Sequence, residues 1–172
     1  PRLPPRERPP RTAPATVMGV SSSGELAYEI HVPNASLYAA YLALREAGKA
    51  HGLKLFGARA VESMRMEKGF LHWKAELLTE FDPFETGLHR FVKVNKPADF
   101  IGKSALCARH AAGLRKKLVT LKTDASHAPA PPGSSLMQGE KVVGTVTSGS
   151  WGHRTGLTHA FAFVDPRLSQ AG

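Results

Sequence analysis

After Gly113 the chain changes texture: residues 118–123, 134–138, 141–148 and 158–164 are short β-rich runs separated by Gly and Pro clusters. Runs of this kind, without a helical period, bury their apolar positions only against one another, which predicts a small β-barrel or sandwich. Gln138-Gly-Glu-Lys141 supplies a hairpin turn between two of them. The chain before that point is mixed. Residues 16–20 read as a short strand and Ser21-Ser22-Ser23-Gly24 as a turn. Gly24-Glu-Leu-Ala-Tyr-Glu-Ile-His-Val-Pro33 reads as a strand, because Leu26, Tyr28, Ile30 and Val32 alternate with Ala27, Glu29 and His31. Pro33 ends it, and Asn34 or Ser36 caps a helix with the stripe Leu37, Ala40, Tyr41 and Leu44 and a stop at Gly48. A second helix follows over 57–68, closed by Gly69. After the turn-rich Phe81-Asp-Pro-Phe-Glu-Thr-Gly87, residues 88–94 read as a strand and 102–112 as a short helix stopped by Gly113. The predicted class is α+β, with an α/β portion to about residue 100 and the β portion after about residue 113.

The length, 172 residues, suits one domain with a real core or two small ones, and 42% apolar content is ordinary for a globular chain. With 23 Lys+Arg against 14 Asp+Glu the net charge is +9, so a nucleic-acid partner must be considered. Four of the excess arginines, Arg2, Arg6, Arg8 and Arg11, lie in a head that also holds Pro1, Pro4, Pro5, Pro9, Pro10 and Pro14. Residues 1–15 bury too little apolar surface to offset ordering them, and a disordered or extended head is predicted. Elsewhere the basic residues are dispersed, apart from Arg115-Lys116-Lys117, which favours a solvated surface over a nucleic-acid site. The single cysteine, Cys107, excludes an internal disulfide and suits a reducing compartment; between Leu106 and Ala108 it reads as an inert helical thiol. No apolar run approaches the roughly 18 residues of a membrane span, and no signal-peptide pattern opens the chain. A cytoplasmic protein with no membrane partner is therefore expected.

Several chemistries lack their motifs. Gly102-Lys103-Ser104 imitates the end of a phosphate-binding loop, but the leading glycine would fall at Pro97. No Gly-x-Gly-x-x-Gly follows a strand, the eight histidines show no His-x-x-x-His spacing, and Ser148-Gly-Ser-Trp-Gly152 only superficially suggests a nucleophile elbow. Neither a metal site nor a catalytic residue is expected.

Taken in order, Gly24 to Pro33, Ser63-Met-Arg-Met-Glu-Lys-Gly69, Phe70-Leu-His-Trp73, Asp82-Pro-Phe-Glu-Thr-Gly-Leu88, Asn95-Lys-Pro-Ala-Asp-Phe-Ile-Gly102 and Gly144-Thr-Val-Thr-Ser-Gly149 form a family pattern. It resembles the folate-binding region of the glycine-cleavage T-protein (aminomethyltransferase) superfamily. Within it, Asn95 to Gly102, Gly113-Leu-Arg-Lys-Lys-Leu-Val119 and Ala160-Phe-Ala-Phe-Val-Asp165 are most similar to the FAD-dependent dimethylglycine and sarcosine dehydrogenases. The resemblance implies a partial folate-binding α/β domain over 16–100, followed by a C-terminal β-barrel over 101–172 that is incomplete at its end. The head has no counterpart in the family. It further implies that tetrahydrofolate is the ligand, capturing the one-carbon unit released from an N-methyl amine. FAD, the flavin domain and a first folate subdomain with a catalytic aspartate would lie in preceding polypeptide, leaving the chain inactive by itself. The alternative is a non-catalytic folate-binding or regulatory module resembling the regulatory subunit of pyruvate dehydrogenase phosphatase.

For site residues the resemblance implies Glu29 as the pterin ligand, whereas periodicity alone puts it on the solvent face of a strand. One carboxylate can accept two adjacent pterin N–H groups in parallel. Three positions depart from the pattern: Ser22 replaces an aromatic, Ala27 a glycine and Val61 a folate-contacting arginine. Arg59 lies two positions before Val61, roughly 200° around a helix, so a surface role and pairing with the folate glutamate carboxylate are both open. Trp73 is either a wall of the folate pocket or a core residue. Glu85 matches a family acidic position, but between Pro83 and Gly87 it can equally hold a turn. Arg65 and Glu67 read as structural charges, and Met64 and Met66 as packing residues.

Overall fold

The computed structural model describes residues 14–125 and 128–170, so nearly all of the expected disordered head lies outside the described residues. The chain divides into two compact units, Pro1–Ala58 and Arg59–Gly172.

In the first unit, β1 (Thr16–Met18) pairs antiparallel with β2 (Glu29–His31), Met18 opposite Glu29. The expected strand over 24–33 contracts to these three residues. Its beginning is taken by the turn, where the Ser21 hydroxyl oxygen accepts the Gly24 N–H at 2.8 Å, and β1 offers only three residues to pair with. A 3-10 turn, Asn34–Ser36, precedes α1 (Leu37–Gly48), and neither Asn34 nor Ser36 caps the helix through its side chain. α1 ends at Gly48, but the left-handed residue is Gly52, φ +68°, after another 3-10 turn. Gly48 serves close approach instead: a Cβ there would stand 2.4 Å from the Leu53 side chain. No described residue of this unit is buried.

The second unit holds the core. α2 (Ala58–Lys68) leads into it and closes with a Schellman motif: Gly69, φ +77°, donates its N–H to Met66 O at 3.1 Å and Phe70 donates to Arg65 O at 2.9 Å. Residues 88–94 are not a strand. Leu88–Phe91 form a 3-10 turn entered through left-handed Gly87, and Val92 N–H bonds back to His89 O at 2.9 Å. Among the described residues, no strand pairs with the apolar residues that suggested one here. α3 (Lys103–Ala112) follows, between Gly102 at φ +89° and Gly113 at φ +80°.

Then come β3 (Lys117–Thr123), β4 (Ser135–Gln138), β5 (Lys141–Gly152) and β6 (Leu157–Val164), an antiparallel sheet in the order β3-β6-β5-β4. The β4–β5 loop is Gly139-Glu140, with Gln138 opposite Lys141 and positive φ on the glycine, the pattern of a type II′ hairpin. β6 is flanked on both sides and buried on both faces. Ala160, Ala162 and Val164 pack with Val146 on one face, while Phe161 and Phe163 face the other, Phe163 stacked on Phe81 with ring centroids 3.6 Å apart. In β5 the register shifts between Val146 and Ser148, which leaves Thr147 as a bulge.

Candidate functional site

The expected pterin ligand, Glu29, lies on β2 beside His31, its carboxylate 3.2 Å from His31 Nε2 and its side chain 53% exposed. Residues two apart on a strand share a face. The opposite face is open as well, with Tyr28 61% and Ile30 41% exposed. Ser22 is likewise exposed. Arg59, in the first turn of α2, is exposed, and Val61 is half-buried. Trp73 is 70% exposed, which overturns its reading as a core residue. Its loop is tightly tied: His72 O accepts the N–H groups of Ala75, Glu76 and Leu77 at 3.2–3.3 Å, and Lys74 is left-handed at φ 68°. Glu29 thus stands in one compact unit, and Arg59 and Trp73 in the other.

The loop of Trp73 is anchored from inside by residues that sequence reasoning missed. Glu76 is wholly buried, and one of its oxygens accepts His72 N–H at 2.8 Å and Arg65 Nη1 at 3.2 Å. Its other oxygen accepts the Ser148 hydroxyl at 2.5 Å and that of the bulged Thr147 at 2.8 Å. Arg65, also buried, donates further to Glu62, to Phe70 O at 2.8 Å and to Ser148 Oγ at 2.8 Å, and lies 5.5 Å from the Phe161 ring centroid. Ser148 is buried and its hydroxyl proton is committed to Glu76. The bulge that sends Thr147 toward Glu76 is what completes this charge pair.

Two more charges fasten neighbouring segments. Ser63 and Glu67, one helical turn apart on α2, hold the β5–β6 hairpin: Ser63 Oγ donates to Trp151 O at 2.6 Å, and Glu67 accepts the N–H groups of Arg154 and Thr155, each at 2.9 Å. Glu85 is buried and does more than hold its turn. It accepts Asp82 N–H at 3.1 Å, both Nε and Nη2 of Arg115 at 3.0 Å, and Arg109 Nη2 at 3.4 Å. It thereby links the 82–85 turn to α3 and to the approach to β3. Burial opposes ionisation of Glu85, but the Arg115 hydrogen bonds, the Asp82 amide and the charges of Arg115 and Arg109 outweigh it and hold its pKa below the ordinary carboxylate value.

A folded-state pKa below the unfolded one means stability that is complete above the unfolded value and fades as pH falls through the folded value. Glu85→Gln is therefore expected to cost about 2 kcal/mol near neutral pH, the scale of a hydrogen bond to a charged group, and to flatten the loss of stability below about pH 4. Urea titrations at pH 7 and pH 3.5 check this; equal penalties at both pH values would contradict it.

The arrangement is an exposed aromatic loop tied from inside by the buried Arg65–Glu76 pair. Residues 6–96 match the GCVT N-terminal domain family, and residues 116–172 match the glycine cleavage T-protein C-terminal barrel domain. The chain belongs to the glycine-cleavage T-protein family. Among relatives of this T-protein chain, human mitochondrial dimethylglycine dehydrogenase is 39% identical over 92% of it, and human mitochondrial sarcosine dehydrogenase 37% over 87%. An aminomethyltransferase of Saccharopolyspora erythraea is 35% identical over 87% of the chain. The chain spans only 18%, 16% and 41% of those three proteins' own lengths. The crystal structure of glycine cleavage system aminomethyltransferase T from Bartonella henselae superposes with a TM-score of 0.80 at 23% identity, covering 91% of this chain and 43% of that one. The T-protein fold, a mixed α/β region followed by the barrel region, is thus shared. The family match begins at residue 6, inside the Pro/Arg-rich head.

Proposed function

We propose that this chain is the tetrahydrofolate-binding C-terminal portion of a dimethylglycine/sarcosine dehydrogenase-like oxidoreductase, serving capture of the one-carbon unit from N-methyl amine oxidation. The 39% identity to dimethylglycine dehydrogenase over 92% of the chain carries the reading. The side chains present suit the ligand in kind. Glu29 is an exposed, acceptor-only carboxylate, matched to the paired N–H groups of a reduced pterin. Trp73 offers an open aromatic face, and Arg59 an exposed guanidinium suited to the folate glutamate carboxylate. Bound tetrahydrofolate supplies the nucleophilic nitrogen that takes up the one-carbon unit; Glu29 holds and orients its ring. FAD belongs to polypeptide outside this stretch, and the chain alone oxidises no amine. The first unit supports a role beside further polypeptide: Leu26 is 86%, Tyr38 72% and Phe56 68% exposed, apolar area of a kind that a partner surface covers.

Thermal melts in about 0.15 M salt, with and without 5-formyl-tetrahydrofolate, test the proposal. At 100 times Kd a ligand of the folded state contributes about 2.7 kcal/mol, which for a chain of this size raises the midpoint by about 5–10 °C. Glu29→Gln is expected to abolish that shift. A wild-type midpoint that does not move removes folate binding, and an equal shift in Glu29→Gln removes Glu29 as the pterin ligand. The exposed Ser22, where the family pattern has an aromatic, favours a second reading as a regulatory module, in which a cooperative melt is insensitive to folate.

A further inference from the structure

At the end of the sheet where β3 begins, β6 finishes and β4 turns into β5, there is an open cleft of about 480 Å³. Lys116, Lys141 and Arg167 reach it from three separate segments, and Val142 and Leu168 give it an apolar side. The carboxylate that shares the lining, Asp165, is already engaged. It accepts Arg167 Nη2 at 2.6 Å and both Nε and the backbone N–H of Arg167 at 3.0 Å. Those bonds hold the Asp165 carboxyl far below the usual range, with Lys116 adding a smaller favourable field, so it stays ionised and neutralises Arg167. Lys116 and Lys141 have no ion pair among the described residues. Three cations against one anion leave a surplus of two positive charges beside an apolar wall. Like charges so placed repel each other, and an anion between them relieves the repulsion.

We propose that this cleft binds a small, multiply charged oxyanion of the phosphate or carboxylate class through the ammonium groups of Lys116 and Lys141. The Asp165–Arg167 pair forms a fixed wall. A surplus of two positive charges favours ligands that carry at least two negative charges. The site is independent of Glu29, Arg59 and Trp73, none of which lines it.

The test is a titration of the ¹⁵N-labelled full chain with pyrophosphate and, separately, citrate at a constant ionic strength of about 0.15 M. Saturable amide shifts confined to residues 116–117, 141–143, 165 and 167–168 are expected. The Lys116→Met/Lys141→Met double substitution is expected to raise Kd by about tenfold or more, and Lys141→Gln alone by about threefold. A response to pyrophosphate only assigns phosphate chemistry; to citrate only, carboxylate chemistry; to both, their shared oxyanion character. Shifts that do not saturate, shifts scattered over lysines elsewhere, or wild-type affinity in either variant would overturn the proposal.

Discussion

Glu76→Ala is expected to lower the stability of the second unit by about 3–5 kcal/mol, the usual cost of removing one partner from a buried ion pair. The side chain of Arg65 stays 4% exposed and keeps only Glu62 and the Phe70 carbonyl as charged or strongly accepting partners. His72 N–H and the buried Ser148 hydroxyl lose their acceptor as well, while the Thr147 hydroxyl keeps Phe161 O at 3.2 Å, and a buried donor left unpaired adds a desolvation cost. Glu76→Gln preserves shape and one acceptor, so an intermediate loss is expected. Urea unfolding read at constant m checks the series. A Glu76→Ala protein within about 1 kcal/mol of the wild type would mean that the network relaxes or hydrates freely. The same substitution frees the loop of Trp73, so any contribution of that ring to folate binding should fall with it.

Phe161→Ala is the second large effect, expected at about 3–5 kcal/mol. Phe161 is 1% exposed on the central strand, and its ring lies below the Arg65 guanidinium. Truncation opens a cavity in a strand closed on both sides by β3 and β5, where collapse is hard. Phe161→Leu retains most of the apolar volume and isolates the cation–π part, about 1–2 kcal/mol for a desolvated pair. A cycle with Arg65→Met measures the coupling directly; zero coupling would mean that the guanidinium is held by its carboxylates alone.

Local signals were sufficient for the sheet of the second unit. Its strands are marked by β-branched and aromatic residues between Gly and Pro breaks, and the Gly139-Glu140 turn forms where the Gln138-Gly-Glu-Lys141 pattern places it. The end of α2 was legible because Gly69 adopts the left-handed conformation its position requires. The strand over 24–33 was legible only as a tendency. Alternation shows that a segment has two faces, but a strand forms where a neighbour accepts its backbone bonds, and β1 pairs with three residues. The apolar residues of 88–94 misled for the same reason. Trp73 was ambiguous because hydrophobicity does not report whether a loop turns a ring inward.

The sequence by itself determined the family, the helices α1 to α3, the antiparallel β runs and the presence of an acid at Glu29. Each follows from residues within a few positions of one another, or from motif order along the chain. Only the tertiary structure decided that Glu76 is a buried hub and Trp73 an exposed ring. The partners of Glu76 lie 11, 71 and 72 residues away at Arg65, Thr147 and Ser148. A carboxylate in the segment Lys74-Ala-Glu-Leu77 looks solvated until those donors converge on it. Burial of charge is tolerated only where such partners meet, and that meeting is a property of the folded chain.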